Sequence, residues 1–156
     1  MSLTPLPPRA ITFSATARGD LESLIALRIE AMRESLERIG RFDPVRARER
    51  FLVGYSLEHT RHIELNGKRV GFFVVKKEAD TMLLEHLYVR PSFQGNGIGS
   101  LVLAQIFTEA DSKALTVRVG ALRQSASNRF YMRHGFQLIE QAEFDNYYIR
   151  PSKNAL

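Results

Sequence analysis

The stretch QGNGIGS, Gln94 to Ser100, places three glycines in five positions between two apolar runs, LLEHLYV and LVLAQIF. Inside a helix or strand each glycine costs ~0.5–1 kcal/mol relative to alanine. One glycine eases a turn, but three spaced by two strip the backbone bare where a strand hands over to a helix. Bare N–H groups at a helix N-terminus form a concave nest for phosphate oxygens, and side chains there would block the approach. The register excludes a dinucleotide fingerprint, because G-x-G-x-x-G would need Gly95, Gly97 and a third glycine where Ser100 stands. The absence of Gly-Lys-Ser/Thr excludes a Walker loop.

The rest of the chain supplies the elements around this loop. ITFSA, residues 11–15, alternates as a short strand. Asp20 stands as the expected N-cap of LESLIALRIEAMRESLERI, whose apolar residues mark one helical face, and Gly40 ends that helix. Asp43-Pro44 opens a second helix expected to run to about Tyr55. RHIEL and RVGFFVVKK follow, joined by Asn66-Gly67, a strong hairpin signal. Glu78-Ala79-Asp80 turns the chain into TMLLEHLYV, which ends at Val89. A helix is expected from about Gly97 to Ala110, then a strand LTVRVGA. A short helix ASNRFYMRH capped by Ser125 and closed by Gly135 comes next, then the strands FQLIE and NYYIR. The order predicts one mixed α/β domain over residues 11–150 with a largely antiparallel sheet. Helical connections after the fourth and fifth strands predict that these two lie parallel. Residues 1–10 read as a Pro-rich lead-in without the apolar core of a signal peptide, and residues 151–156 as a tail.

Composition narrows the function classes. No apolar run approaches the ~20 residues needed to cross a membrane. Cysteine is absent, which removes disulfides, thiolate metal sites and a thiol nucleophile, and suits a reducing cytoplasm. His59 and His62, three apart in a strand or its lead-in, face opposite sides with no third ligand in view, so no metal is expected. The net charge of +5 fits a polyanionic partner, either nucleic acid or a phosphate-bearing cofactor. Much of the positive charge is interleaved with glutamates over RIEAMRESLERIGRFDPVRARER, the pattern of a solvated helix face. No aromatic-and-basic platform for single strands accompanies it.

Q-G-N-G-I-G fits the Q/R-x-x-G-x-G/A pattern of the Gcn5-related N-acetyltransferases (GNAT). LEHLYVRPSF before it resembles that family's fourth strand and turn. FYMRHGF, some thirty residues on, is similar to its F-Y-x-(R/K)-x-G-F segment. The resemblance runs from about residue 11 to 150 and implies the GNAT fold, with a V-shaped splay between the fourth and fifth strands. It also implies acetyl-CoA as co-substrate. The pyrophosphate would rest on backbone N–H groups of Gln94, Gly95, Asn96, Gly97, Ile98, Gly99 and Ser100. The pantetheine arm would lie beside Leu87 and Val89, and the Val89 N–H would polarise the thioester carbonyl. Many members carry Asn-x-x-Ala ahead of the Phe-Tyr, with the Asn on the pantetheine. Here Gln124 or Ser125 stands in its place and Asn128 is offset, so which of these side chains takes over that contact stays open.

The chemistry implied is attack of an amine on a thioester. An alkylammonium, pKa about 10, must lose a proton, and a thiolate must leave. Tyr131, in the position of the family's tyrosine, is the candidate acid; helix spacing alone favours a core tyrosine, and the motif turns the reading to the acid. Glu85, placed by strict alternation on one strand face with Leu87 and Val89, is the candidate base or water holder. It reads equally as an ion-pair partner of an arginine. His86, on the other face, reads as structural, and His134 sits in a helix's last turn, a place that favours a cation. The resemblance implies an acceptor site formed by Phe42, Phe51, Tyr55 and Tyr147 or Tyr148, with Arg41 and Arg46 available to an acidic group. The acceptor is a small-molecule or peptide amine, and a homodimer is left open. Two other classes remain, a non-catalytic acyl-CoA-binding module and a basic nucleic-acid-binding domain. Tyr131 argues against the first, and the interleaved charges and unexplained glycine loop against the second.

Overall fold

The computed structural model describes residues 11–153, so the expected lead-in over residues 1–10 lies outside the described residues. The chain forms two compact units. One gathers the chain up to Val74 with His86–Gly99, the other Val75–Glu85 with the chain from Ser100 on. Seven strands occur among the described residues, hydrogen-bonded in the order β1-β2-β3-β4-β5-β7-β6. Each pair with a given register is antiparallel except β4 with β5, which is parallel as the crossover argument required.

The first unit begins with β1 (Ile11–Ala15) and α1 (Leu21–Arg38). Leu24, Ile25 and Leu27 recur at helical spacing and are buried with Phe51, Phe72 and Val74. Each such side chain contributes ~1.5–3 kcal/mol on burial. Gly40 ends the helix at φ +71°. Its N–H donates to Glu37 O, and the Arg41 N–H donates to Leu36 O, so the orphan carbonyls are satisfied as a left-handed C-terminus allows. Asp20 does not act as the side-chain cap expected. Its carboxylate instead accepts from the Ala17 N–H (2.7 Å), from His62 Nε2 (3.0 Å) and from Arg69 Nη1 (2.9 Å). These three, the backbone bond foremost, hold it far below the usual carboxylate range. Asp43 does cap α2 (Pro44–Leu52), accepting from the Val45 and Arg46 N–H groups. That helix stops at Leu52, before Tyr55. The hairpin from β2 (Thr60–Leu65) to β3 (Lys68–Lys77) turns at Asn66 and Gly67, φ +51° and +83°, the signs a two-residue turn of matching twist demands.

In the second unit Thr81–Leu84 of β4 (Thr81–Val89) pair with Thr116–Val119 of β5 (Thr116–Leu122). The pairing ends there, although Glu85 and Gly120 follow in the same unit. Thus β4 and β5 part company one residue short of Glu85. β5 alternates buried Val117, Val119 and Ala121 with exposed Arg118 and Gly120. It pairs antiparallel with β7 (Asp145–Arg150), which pairs with β6 (Gln137–Gln141). α3 (Ile98–Ser112) crosses from β4 to β5 and buries Val102, Leu103, Ile106 and Ala110. Arg150, 7% exposed, forks onto Asp111 at 2.7 and 3.1 Å and lies 4.0 Å over the Phe107 ring.

Candidate active site

The glycine loop is built for bare backbone. The chain leaves β4 through a short 3-10 turn, Pro91–Phe93. Gln94 then turns its side chain back, and Nε2 donates to Val89 O at 2.9 Å. Asn96 Nδ2 does the same for Phe93 O at 3.2 Å. The two amide side chains therefore hold the loop's shape, while the Gln94 N–H donates to Pro91 O at 3.2 Å. Gly95 and Gly97 adopt φ +80° and +79°, which side chains rarely tolerate. No protein atom lies within 4 Å of a Cβ built at either, so conformation rather than crowding demands glycine. Gly99 needs no positive φ, since α3 has begun. Ile98 is buried and anchors that helix. The first N–H groups of α3, from Ile98 through Ser100, have no acceptor within the helix. Ser100 Oγ lies 2.9 Å from His134 Nε2.

β4 supplies the next group. The Arg90 N–H donates to Val70 O at 2.8 Å. Neighbouring N–H groups on a strand point to opposite sides in the sheet plane, so the Val89 N–H turns away from β3. At the other end of β4 the Glu78 N–H donates to Thr81 O. Residue 70 is thus opposite 90 but 78 opposite 81, a register shift of one, which is a β-bulge. His86 and Tyr88 turn toward the α1–α2 core: the His86 ring sits 5.2 Å from Phe51 and that of Tyr88 5.4 Å from Phe72. Tyr88 Oη lies 3.1 Å from His86 Nδ1 and receives Arg28 Nε–H at 3.3 Å. Gly71 is obligatory beside this shift, since a Cβ there would stand 2.3 Å from Tyr88 O. Glu85, in the second unit, is partnered by Lys76 Nζ at 2.7 Å, with both side chains about a quarter exposed. The expected ion pair exists, with a lysine in place of the arginine. The sequence hides it because it arises diagonally across the β3–β4 hairpin.

α4 (Ser127–Arg133) carries Tyr131, 5% exposed, whose ring packs on Phe136 at 5.3 Å and on Tyr148 at 6.4 Å. Ser125 does not cap α4: the N-cap is Ala126, with no side-chain bond. The turn is held by Asn128 instead. Its Nδ2 donates to Leu122 O and Ser125 O, each at 2.9 Å, and its Oδ1 accepts from Asn146 Nδ2 (2.9 Å) and Tyr148 Oη (2.7 Å). Both donors and both lone pairs are thereby used in positioning α4 against β5 and β7. Ser125 Oγ is 3.4 Å from Asn128 Nδ2.

The acceptor residues separate. Phe51, 1% exposed, is a core residue among Tyr55, Phe72 and His86, and presents no surface to an acceptor. Tyr55 packs on it at 5.3 Å, and burial pushes its phenol up. Phe42 lies under the Arg33 guanidinium at 4.9 Å. Tyr147, 37% exposed, rests its ring on Gly120, where a Cβ would be 3.1 Å from Cε1; Tyr148 is buried. His62 is spent on Asp20, and His59 Nδ1 lies 2.7 Å from Ser56 Oγ. Among the described residues no group of three His, Cys, Asp or Glu is placed to hold a metal. No helix among them is long and apolar enough to cross a membrane.

Comparison with known proteins places this geometry. The chain is 30% identical over 88 residues to the [ribosomal protein bS18]-alanine N-acetyltransferase of Haemophilus influenzae, a match covering 56% of this chain and 59% of that protein. The chain thus spans less than two thirds of that relative's length. The fold is similar to that of the PaiA N-acetyltransferase from Thermoplasma acidophilum, solved in complex with coenzyme A. The TM-score is 0.78 at 20% identity, over 90% of this chain and 98% of that one. The ribosomal-protein-S18-alanine N-acetyltransferase from Escherichia coli aligns with a TM-score of 0.65 at 18% identity, over 94% and 95%. The family model for the acetyltransferase (GNAT) domain matches residues 49–138, which take in Glu85, the glycine loop and Tyr131 and leave out α1 and β7. By that match over more than half its length, the chain belongs to the GNAT acetyltransferase family.

Proposed function

We propose that this protein transfers an acetyl group from acetyl-CoA to a primary amine. The observation that carries the reading is the loop of Gln94 to Ser100. Two left-handed glycines stand before a helix start, and amide side chains fold back to brace the loop. A pyrophosphate would rest on the backbone N–H groups that follow Gln94, whose own N–H is spent on Pro91 O. In this reading the Val89 N–H, turned from β3, donates to the thioester oxygen as negative charge develops on it. The amine nitrogen bonds to the carbonyl carbon, the C–S bond breaks, and Tyr131 gives its proton to the departing sulfur. Glu85, already partnered by Lys76, holds the water that takes the amine's proton.

Among amines, a peptide α-amino group is the first to test, because a named relative acetylates a ribosomal protein's alanine. An α-amine, pKa about 8, is partly neutral at pH 7 and needs only a weak base. The acceptor is recognised by parts outside the matched segment, among them Phe42 in the α1–α2 connection and Tyr147 on β7. The test is calorimetric titration with acetyl-CoA, followed by mass spectrometry of amine panels incubated with protein and acetyl-CoA. Binding with a gain of one acetyl group on an amine supports the reading. Binding with no acceptor in any panel favours an acyl-CoA-binding module, and no binding defeats both.

A further inference from the structure

His134 closes a connection that the proposed reaction does not use. It stands at the C-cap of α4. Its Nδ1 lies 2.8 Å from Phe130 O and its Nε2 2.9 Å from Ser100 Oγ, while its ring is stacked 4.7 Å from that of Phe130. A carbonyl only accepts, so Nδ1 carries a hydrogen. In the neutral ring Nε2 then has a bare lone pair, and the Ser100 hydroxyl must donate to it. The hydroxyl of the last loop residue thus points its proton at His134. A phosphate oxygen on the loop would be a stronger acceptor for that proton. If Ser100 turns to it, Ser100 Oγ faces Nε2 as an acceptor, and only a protonated Nε2 satisfies both groups.

We propose that His134 is a positioning residue that reverses its hydrogen bond to Ser100 and takes up a proton when the pyrophosphate of the acyl donor enters the loop. The inference rests on the loop's reading as a phosphate site. Its consequence is that phosphate binding is transmitted to the helix that carries Tyr131, since Phe130, the other partner of His134, immediately precedes it. The ionisable neighbours of His134 on α4 are Arg129, Tyr131 and Arg133. On α3 Ser100 is followed one turn on by Leu103 and Ala104, which do not ionise.

The test uses protein labelled with 15N-histidine and titrated with acetyl-CoA, the His134 signals being assigned from His134→Gln. The expected spectrum shows Nε2 unprotonated in the free protein and bearing a hydrogen in the complex. Calorimetry in two buffers of different ionisation enthalpy reads the same event. The wild type takes up as much as about one proton more than His134→Gln or Ser100→Ala, and its affinity tightens as pH falls, because binding takes up a proton. Each variant binds acetyl-CoA about two- to tenfold more weakly at low pH, the scale of one hydrogen bond. Ser100→Ala keeps the bond from Nδ1 to Phe130 and serves if the histidine variant folds poorly. A wild-type complex in which Nε2 stays bare, or proton uptake in the variants equal to that of the wild type, overturns the inference while leaving acetyl transfer standing. Failure of the wild type to bind acetyl-CoA overturns both.

Discussion

Replacing Gly97 with alanine separates the loop's conformational demand from its chemical one. At φ +79° an L-residue costs ~1–2 kcal/mol. No atom within 4 Å of the new Cβ adds a clash, so the cost is conformational alone. For a chain of this size ~1 kcal/mol moves Tm by about 2–4 °C, so Gly97→Ala is expected to melt about 2–8 °C lower. Its Cβ would also project from the stretch assigned to phosphate, and acetyl-CoA affinity is expected to fall at least about tenfold, the scale of one lost charge-assisted hydrogen bond. Gly99→Ala is the control. It lies within α3, where alanine is the better helix former by ~1 kcal/mol, and the motif admits alanine there. It should melt no lower than wild type and bind acetyl-CoA within about twofold of it, well short of one hydrogen bond. Thermal denaturation and calorimetry on the three proteins read both effects. A destabilised Gly97→Ala that binds acetyl-CoA as wild type does would refute the assignment of this loop to phosphate.

Four further outcomes follow from the geometry. Tyr131→Phe keeps the packing on Phe136 and Tyr148 but removes the proposed acid, so kcat should fall by about 10²–10⁴ with acetyl-CoA affinity nearly unchanged in steady-state and binding assays. Glu85→Gln should lower kcat/KM more for an alkylamine than for a peptide α-amine, and equal loss on both would remove Glu85 from proton handling. Gly71→Ala forces a Cβ against the Tyr88 carbonyl, and a loss of ~1–3 kcal/mol is expected in urea unfolding. Asp111 is held at about 2, below its ordinary 3.8, chiefly by hydrogen bonding to Arg150. Its contribution is therefore complete above about pH 4 and lost as pH falls toward 2. Asp111→Asn, which leaves buried Arg150 without its anion, should cost ~1–3 kcal/mol at pH 7, reduced from a fully buried pair by partial exposure, and should flatten acid unfolding in that window.

Elements that announce themselves through local chemistry were legible from sequence. Asn66-Gly67, Asp43-Pro44, Gly40 and the apolar face of α1 each act within a few residues, and each appears in place. The parallel β4–β5 pair was legible because a single helix between two strands favours a crossover to a parallel neighbour. Side-chain roles set by distant partners were not legible. Asp20 has the residue type and position of an N-cap, but His62 and Arg69, some forty residues on, draw its carboxylate away from α1. Ser125 loses the cap of α4 because Asn128 fills that turn with bonds to β5 and β7. The resemblance implies Phe51 in the acceptor site, yet the three rings around it make it core. The register shift between β3 and β4 was not legible either, and nothing in TMLLEHLYV marks it. Only Gly71, on the neighbouring strand, leaves a trace of the close backbone approach.

The most direct test of acetyl transfer is a stopped-time assay of wild type and Tyr131→Phe with acetyl-CoA and a panel of N-terminal-alanine peptides and small amines. Free thiol and acetylated amine are quantified together. Equimolar appearance of both with the wild type, and their joint loss of about 10²-fold or more in the variant, is the predicted result. Thiol release without acetylated amine, or equal turnover by the two proteins, would contradict it.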